Sequence, residues 1–561
     1  MSYLMRALIL TAFVGTASIF APAQSSPPKA ATGSITGRIT NGDKAAVGVA
    51  VVLYPAEEGP RRKPTARAVT DQDGRFTLTN IPAGRYQITP VAADMVVSDA
   101  VDYWRPGKPV NLAAGETAEG FDFQLTRGGV ITGRVTDHEG KPVVGERPSL
   151  EPVDKNDQPQ RSNLNFSYSR QFMDTDDRGI YRIYGLPAGR YRVSAGEDPK
   201  GDGLRFGGRR GFYPKVYYPS VTEAAEAKIV EVLEGGEATD INIALGPLAQ
   251  AYTLSGRVVN EGGEPVPGLL LGYGKVQEGG GLGGFGYGMG MPTNARGEFR
   301  IDNVLPGRYA AFVVTRDAGD VYSDSVSFEI SDKDVSGIEV KVHPGATISG
   351  HVVIEGTTDR NLIARLLQQI SLYANTETPG QVSAPNWTEA RVSADGSFRV
   401  AGLRPGKARV TMGGWPPPKG LTQTLIERGG VEQKDGIEVG AGEQVSGVRF
   451  VVVYGMAVLR GQVNVVNGTL PENVRLIVHA RRQGSDTSQF RRPAEVDARG
   501  RFTIEGLAAG EYELALGSWA RGPGGELRIP EVRQSVTVGD NGETNVTMVV
   551  DLAPPKREDA P

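Results

Sequence analysis

Apolar and polar residues alternate along this chain in short runs, and the runs return in the same order five times. The clearest are Phe121-Asp122-Phe123-Gln124-Leu125, Ile241-Asn242-Ile243-Ala244-Leu245, Ile338-Glu339-Val340-Lys341-Val342 and Val546-Thr547-Met548-Val549-Val550; Val448-Arg449-Phe450-Val451-Val452 is an approximate fifth. A period of two sends successive side chains to opposite faces, so each run predicts a strand with one buried and one wet face. Upstream of each lies an apolar strand broken by glycine: Ile35-Thr36-Gly37-Arg38-Ile39, Ile131-Thr132-Gly133-Arg134-Val135, Leu254-Ser255-Gly256-Arg257-Val258, Ile348-Ser349-Gly350-His351-Val352 and Leu459-Arg460-Gly461-Gln462-Val463. Between the two comes a turn that leads into an aromatic strand, as in Asp73-Gly74-Arg75-Phe76 and Asp395-Gly396-Ser397-Phe398. A corner follows, Ile81-Pro82-Ala83-Gly84-Arg85-Tyr86 in the first copy, with counterparts at 186–191, 305–309, 403–408 and 507–512.

Many short strands joined by glycine and proline turns predict antiparallel β-sandwiches. A repeat of roughly a hundred residues is too long for a solenoid unit and fits a string of separate small domains. The boundaries read as 33–127, 128–248, 249–345, 346–454 and 455–554, with a linker at 24–32 and a disordered tail at 555–561. One stretch, 359–369, has near-helical spacing and reads as an insertion with a local helical turn. In the corner, proline restricts φ and glycine accepts unusual angles. The tyrosine that follows can bond its hydroxyl to backbone, as in the tyrosine corner of immunoglobulin-like sandwiches.

Residues 1–23 read as a cleaved signal peptide: Arg6, an apolar stretch at 7–20, and the small-residue site Ala21-Pro22-Ala23. The mature chain is therefore expected to be exported, periplasmic or extracellular, with no transmembrane segment. Cysteine is absent from all 561 residues, which excludes a lipid-anchored N-terminal cysteine and leaves each domain to stand on its own core. With 61 basic and 65 acidic residues the net charge is −4, and neither a clustered basic face nor a nucleic-acid partner is indicated.

Taken together, the Gly-Arg-Val strand, the turn Gly263-Glu264-Pro265-Val266-Pro267-Gly268, the Asp-Gly-x-Phe turn and the Leu-Pro-x-Gly-x-Tyr corner resemble the carboxypeptidase regulatory-like domain. That resemblance implies a transthyretin-like β-sandwich of about seven strands, found beside zinc carboxypeptidases and in arrays on exported bacterial proteins. Copies one to three match its motifs well. Copies four and five carry Gly-His-Val and Gly-Gln-Val instead. The fold expected is thus all-β, a tandem array of five immunoglobulin/transthyretin-like antiparallel β-sandwich domains. The lysine–asparagine cross-link of the related collagen-adhesin repeats is not expected, because the first strands lack lysine and only Asn242 sits centrally in a closing strand.

Candidate chemistry is sparse. A zinc peptidase needs a His-x-x-Glu pair and a further ligand, yet none of His138, His343, His351 and His479 begins such a motif. No Gly-x-Ser-x-Gly elbow occurs. The acidic turns at 71–74 and 174–179 space their oxygens like calcium ligands but lack the closing glutamate, so they read as hairpin turns. No catalytic, metal or cofactor site is expected. Exposed aromatics are the remaining candidates, because sugars stack on rings: Tyr103, Trp104, Tyr217, Tyr218, Trp415 and Trp519 occupy comparable places in successive copies. Gly279 and the residues to Met291 form a glycine-rich loop. The resulting expectation is a non-catalytic structural or interaction scaffold at the cell envelope, with a protein or polysaccharide partner. The alternatives are a carbohydrate-binding array and an accessory subunit to a peptidase or other secreted enzyme.

Overall fold

The computed structural model describes residues 31–553 apart from 57–62, 93, 98–106, 161–173, 198–210, 277–281, 284–291, 315–318, 378–386, 414–417, 471–473, 484–492, 521–528 and 541. The expected signal peptide, most of the linker at 24–32, the tail at 555–561 and nearly all of the glycine-rich loop lie outside the described residues.

Each repeat folds into two sheets packed face to face. In the first, Gly33–Asn41 is flanked by Arg75–Ile81 on one side and by Thr117–Ala118 and Phe123–Arg127 on the other. The facing sheet runs Ala66–Val69, Ala50–Pro55, Gly84–Val91, Lys108–Leu112. The fourth repeats the plan, with Ser397–Leu403, Ala346–Glu355 and Gln444–Tyr454 in one sheet and Ser371–Glu377, Gly406–Gly413 and Ile437–Val439 in the other. Five separate apolar clusters fill the sandwiches, from Ile35, Leu53 and Phe76 in the first to Leu459, Phe502 and Leu514 in the fifth. The closing strand obeys its alternation: Phe121, Phe123 and Leu125 are buried while Asp122 and Gln124 are exposed.

Alternation does not disclose direction. In every repeat the closing strand runs parallel to the first strand, with Ile39 beside Phe123 and Val463 beside Met548. The short strands Thr117–Ala118 and Glu237–Ala238, just upstream of the closing strand, also run parallel to the first strand, and the remaining pairings between the described strands are antiparallel. The recurring glycine follows from this geometry. It faces the aromatic residue of the neighbouring strand in all five copies, as Gly37–Phe76, Gly133–Tyr181, Gly256–Phe299, Gly350–Phe398 and Gly461–Phe502. A side chain on Gly37 would overlap the Phe121 carbonyl, and one on Gly256 the Ile338 carbonyl. The glycine lets the closing backbone come close, and the aromatic ring covers the gap.

The corner tyrosines close the sandwich ends. Tyr86, Tyr191, Tyr309 and Tyr512 donate their hydroxyls to the carbonyls of Pro82, Pro187, Leu305 and Ala508 at 2.8, 2.6, 2.9 and 3.0 Å. In copy four the position is Ala408, fully buried, and the core closes over it. The 359–369 insertion contains an α-helix, Arg360–Leu367. Asp359 caps it by accepting from the backbone N–H of Asn361 at 2.9 Å, and the helix lays Leu366 and Leu367 on the fourth core. Among the described residues no helix is long and apolar enough to cross a membrane.

Three of the four joints between domains share one construction. A glycine between the closing strand and the next first strand donates its N–H back into the domain it is leaving: Gly128 to Asp94 at 2.9 Å, Gly345 to Asp320 at 2.6 Å, Gly455 to Gly420 at 2.8 Å. Against this turn packs a left-handed glycine of the following domain, Gly185 on Gly128, Gly402 on Gly345 and Gly506 on Gly420, with φ of 71°, 73° and 71°. The backbones touch, so that a Cβ on Gly128 or Gly345 would lie 2.5 Å from the Cα of Gly185 or Gly402. The corresponding left-handed residue is Asn80 in the first domain and Asn303 in the third. Asparagine tolerates the angle but brings a side chain. The joint before the third domain is built differently. Its chain is longer, and Ala249–Gln250 pairs with Gly211–Phe212 of the second domain.

Candidate functional site

Of the six aromatic candidates, Tyr103, Trp104 and Trp415 lie outside the described residues. Trp519 is on the strand Gly510–Ala520, opposite Arg475. Tyr217 is partly buried beside Gly189–Ala195, with the Lys215 ammonium 5.0 Å from its ring centroid. Tyr218 is also partly buried, gives its backbone N–H to Val193 at 2.9 Å and packs on the second core. Much of both tyrosines is thus engaged in covering their own domain.

The acidic turns use their carboxylates on backbone. Oδ1 of Asp71 accepts from the N–H groups of Asp73 and Arg75 at 2.9 and 2.8 Å. Asp176 does the same for Arg178 and Ile180, and Asn294 for Arg296 and Glu298. These are Asx turns that set up the hairpin. Hydrogen bonding from Ile180, followed by Arg178, holds the Asp176 carboxyl below the usual carboxylate range. Asn242 accepts from the backbone of Arg134 at 2.8 Å, as Asp122 does from Arg38 at 2.7 Å. His351 and His138 are exposed.

The fifth copy of the turn behaves unlike the others. At the first position of the turn Asp71, Asn294 and Ser393 are exposed and Asp176 partly so, whereas Asp497 is buried. The first domain covers it. Nη1 of Arg499 donates to Oε1 of Glu116 at 2.5 Å and its Nη2 to the Asn111 carbonyl at 2.8 Å; Arg501 donates to the same Glu116 oxygen. The Asn111 side-chain amide donates to the carbonyls of Glu495 and Arg501 at 3.2 and 2.9 Å, and its backbone N–H to Asp497 at 3.2 Å. Gln87 donates to Glu495 at 2.9 Å, and Arg475 donates to the Gly107 carbonyl. The Arg499 guanidinium also lies 5.2 Å from the Phe121 ring centroid.

This seam joins residues 368 to 408 positions apart and covers Lys108–Leu112, an edge strand of the first domain. Its carboxylate is well supplied with donors. Burial works to raise the Glu116 pKa, but the Ala113 N–H at 2.7 Å, Arg499 and Arg501 outweigh it and hold the carboxyl below its ordinary value. Beside the contact a cleft of about 430 Å³ opens between Asn111, Ala113 and Glu116 of one domain and Arg460, Gln462 and Thr547 of the other. The arginines nearest it are committed, Arg460 to Glu543 and Arg501 to Glu116. The only hint of the seam in the sequence is that the fifth turn carries arginine at both 499 and 501, and that signal does not name a partner.

Residues 34–126 match the carboxypeptidase regulatory-like domain, so the resemblance holds for the first repeat. Comparison with curated proteins finds no match. Among solved structures the chain is similar to a streptococcal ancillary pilin (13% identity, 56% of this chain and 99% of that one, TM-score 0.24). It is also similar to the TIE protein of Bacillus anthracis (10% identity, 91% and 76%, TM-score 0.15) and to the minor pilin of Streptococcus agalactiae (14% identity, 38% and 96%, TM-score 0.20). Superpositions this loose carry no functional inference.

Proposed function

We propose that the chain is an exported, non-catalytic scaffold at the cell envelope, whose work is to hold interaction surfaces in a set arrangement. The observation that carries this reading is the three interlocked joints, where paired glycines bring two backbones to contact distance. A flexible string of beads has no use for them, since domains joined by an ordinary linker move relative to each other by default. Export rests on the leader-like residues 1–23. Among the described residues, the carboxylates of Asp71 and Asp176 are engaged in their turns, and those of Glu116 and Asp497 in the seam.

Limited proteolysis of the purified chain tests this reading. Cleavage is expected first at 246–251, the longer joint, leaving the first two domains and the last three as resistant pieces. Equal cutting at all four joints would contradict it.

A second reading, carbohydrate binding, is supported by the partly exposed rings of Tyr217 and Tyr218. Titration with a polysaccharide panel while following the melting temperature decides it. A saturable rise that Tyr217→Ala and Tyr218→Ala abolish is expected of a sugar site, and an unchanged melting point across the panel counts against one.

A further inference from the structure

The seam between the first and fifth domains is made of two different patches that fit each other. One offers Gln87, Asn111, Glu116 and the Gly107 carbonyl; the other offers Arg475, Glu495, Asp497, Arg499 and Arg501. An interface between unlike patches is heterologous, and every copy of the chain carries both halves. Whether the halves meet within one chain or between two is then decided by what connects them.

Three of the connecting joints are interlocked and one is not. The joint before the third domain has no glycine pair, carries Asn303 in the left-handed position, leaves Leu248 exposed, and holds to the second domain through the two-residue pairing of Ala249–Gln250 with Gly211–Phe212, which opening must break. It divides the chain into a piece bearing the first patch and a piece bearing the second. The seam is polar and ionic, in the manner of interfaces that open and re-form, and among the described residues no apolar cluster spans it.

We propose that this face is also a docking surface for a second copy of the same chain. The chain hinges at 246–251, and the fifth domain of one copy takes the place of the fifth domain of the other on the first domain, with the same residue pairs. Exchange of an identical element needs no new complementarity, only a hinge and enough neighbours. Within one chain the effective concentration of the two halves is on the order of millimolar, so exchange between chains gains ground where copies are crowded. If both halves of an opened chain are used, copies add head to tail. This goes beyond the scaffold reading, and a rigid monomer would satisfy that reading alone.

The absence of native cysteine makes the test clean. Ala113 and Thr547 line the cleft from opposite domains, and neither side chain makes any of the seam bonds described above; the Ala113 bond to Glu116 is from its backbone N–H, which cysteine keeps. Two full-length variants, A113C and T547C, are mixed and treated with a short bismaleimide after opening in high salt and return to low salt. The expected result is a heterodimer that requires both variants, increases with protein concentration, and is lost when T547C also carries Arg499→Glu. The double variant A113C/T547C reports closure within one chain as a cross-linked monomer. Cross-linked monomer from the double variant with no heterodimer at any concentration would overturn the proposal and leave the scaffold reading standing. No product from either would overturn the proposal together with the seam itself.

Discussion

Gly345 and Gly402 meet backbone to backbone across the joint between the third and fourth domains, where a Cβ on the first would lie 2.5 Å from the Cα of the second. Around them the joint is ionic. Arg404 is buried, donates to Asp324 at 3.0 Å and to the Ser323 carbonyl, and lies over the Tyr322 ring; Arg399 reaches Asp320 at 2.6 Å. Two small residues allow the approach, and the side chains around them set the angle.

Replacing Gly402 should therefore loosen this joint without unfolding its neighbours. Gly402→Val places a β-branched residue at φ 73° and a Cβ 3.0 Å from the Val321 carbonyl. The expected cost is roughly 1–3 kcal/mol, seen as a lower first transition in chemical denaturation and faster exchange of the Gly345 amide. Asn303→Gly, at the corresponding position of the looser joint, should change stability by less than about 1 kcal/mol.

The corner tyrosines predict a local and additive effect. Tyr309→Phe keeps the ring stacked on Phe328 at 5.6 Å but removes the bond to Leu305. The loss expected is about 1 kcal/mol, confined to the third domain. Burial pushes the Tyr309 hydroxyl pKa well above its ordinary value, so the corner stays protonated through the alkaline range in which exposed tyrosines titrate. Spectroscopic titration of wild type against the variant checks this.

Acid should open the seam. The Glu116 carboxyl has a lowered pKa in the folded chain, so its contribution is present above the ordinary glutamate value and is lost as pH falls through the lowered one. Small-angle scattering at neutral and strongly acidic pH should show the radius of gyration rising before the far-ultraviolet spectrum changes. Glu116→Gln should show the open form already at neutral pH, at a cost of about 2 kcal/mol or more, since Arg499 and Arg501 would lose their shared partner. Added salt should act in the same direction.

Within a domain, the sequence discloses most of what the fold uses. Glycine, aromatic and tyrosine recur at fixed places, and the structure gives each a job: Gly37 faces Phe76, and Tyr86 closes onto Pro82. The parallel pairing of the closing strand is not legible, because a run such as Ile338–Val342 alternates identically in either direction. A local helical turn at 359–369 is legible from its spacing, while the full helix Arg360–Leu367 and its Asp359 cap emerge in the structure.

Between domains far less can be read. Asp497 looks like Asp71 along the chain, with the same turn and the same backbone bonds, and only three-dimensional curvature brings Asn111 over it. The glycine-or-asparagine choice at 80, 185, 303, 402 and 506 is visible in the sequence, but its meaning depends on knowing which neighbour leans there.

The claim that the joints hold the domains in a set arrangement is tested most directly by distances between spin labels. Exposed Lys333 and Lys434 flank the interlocked joint of the third and fourth domains; exposed Lys228 and Lys333 flank the longer one. Paired cysteine variants, labelled and measured by double electron–electron resonance, should give one narrow distance for 333/434 and a broader distribution for 228/333 once Arg499→Glu has opened the seam. A broad distribution for 333/434 would contradict the account.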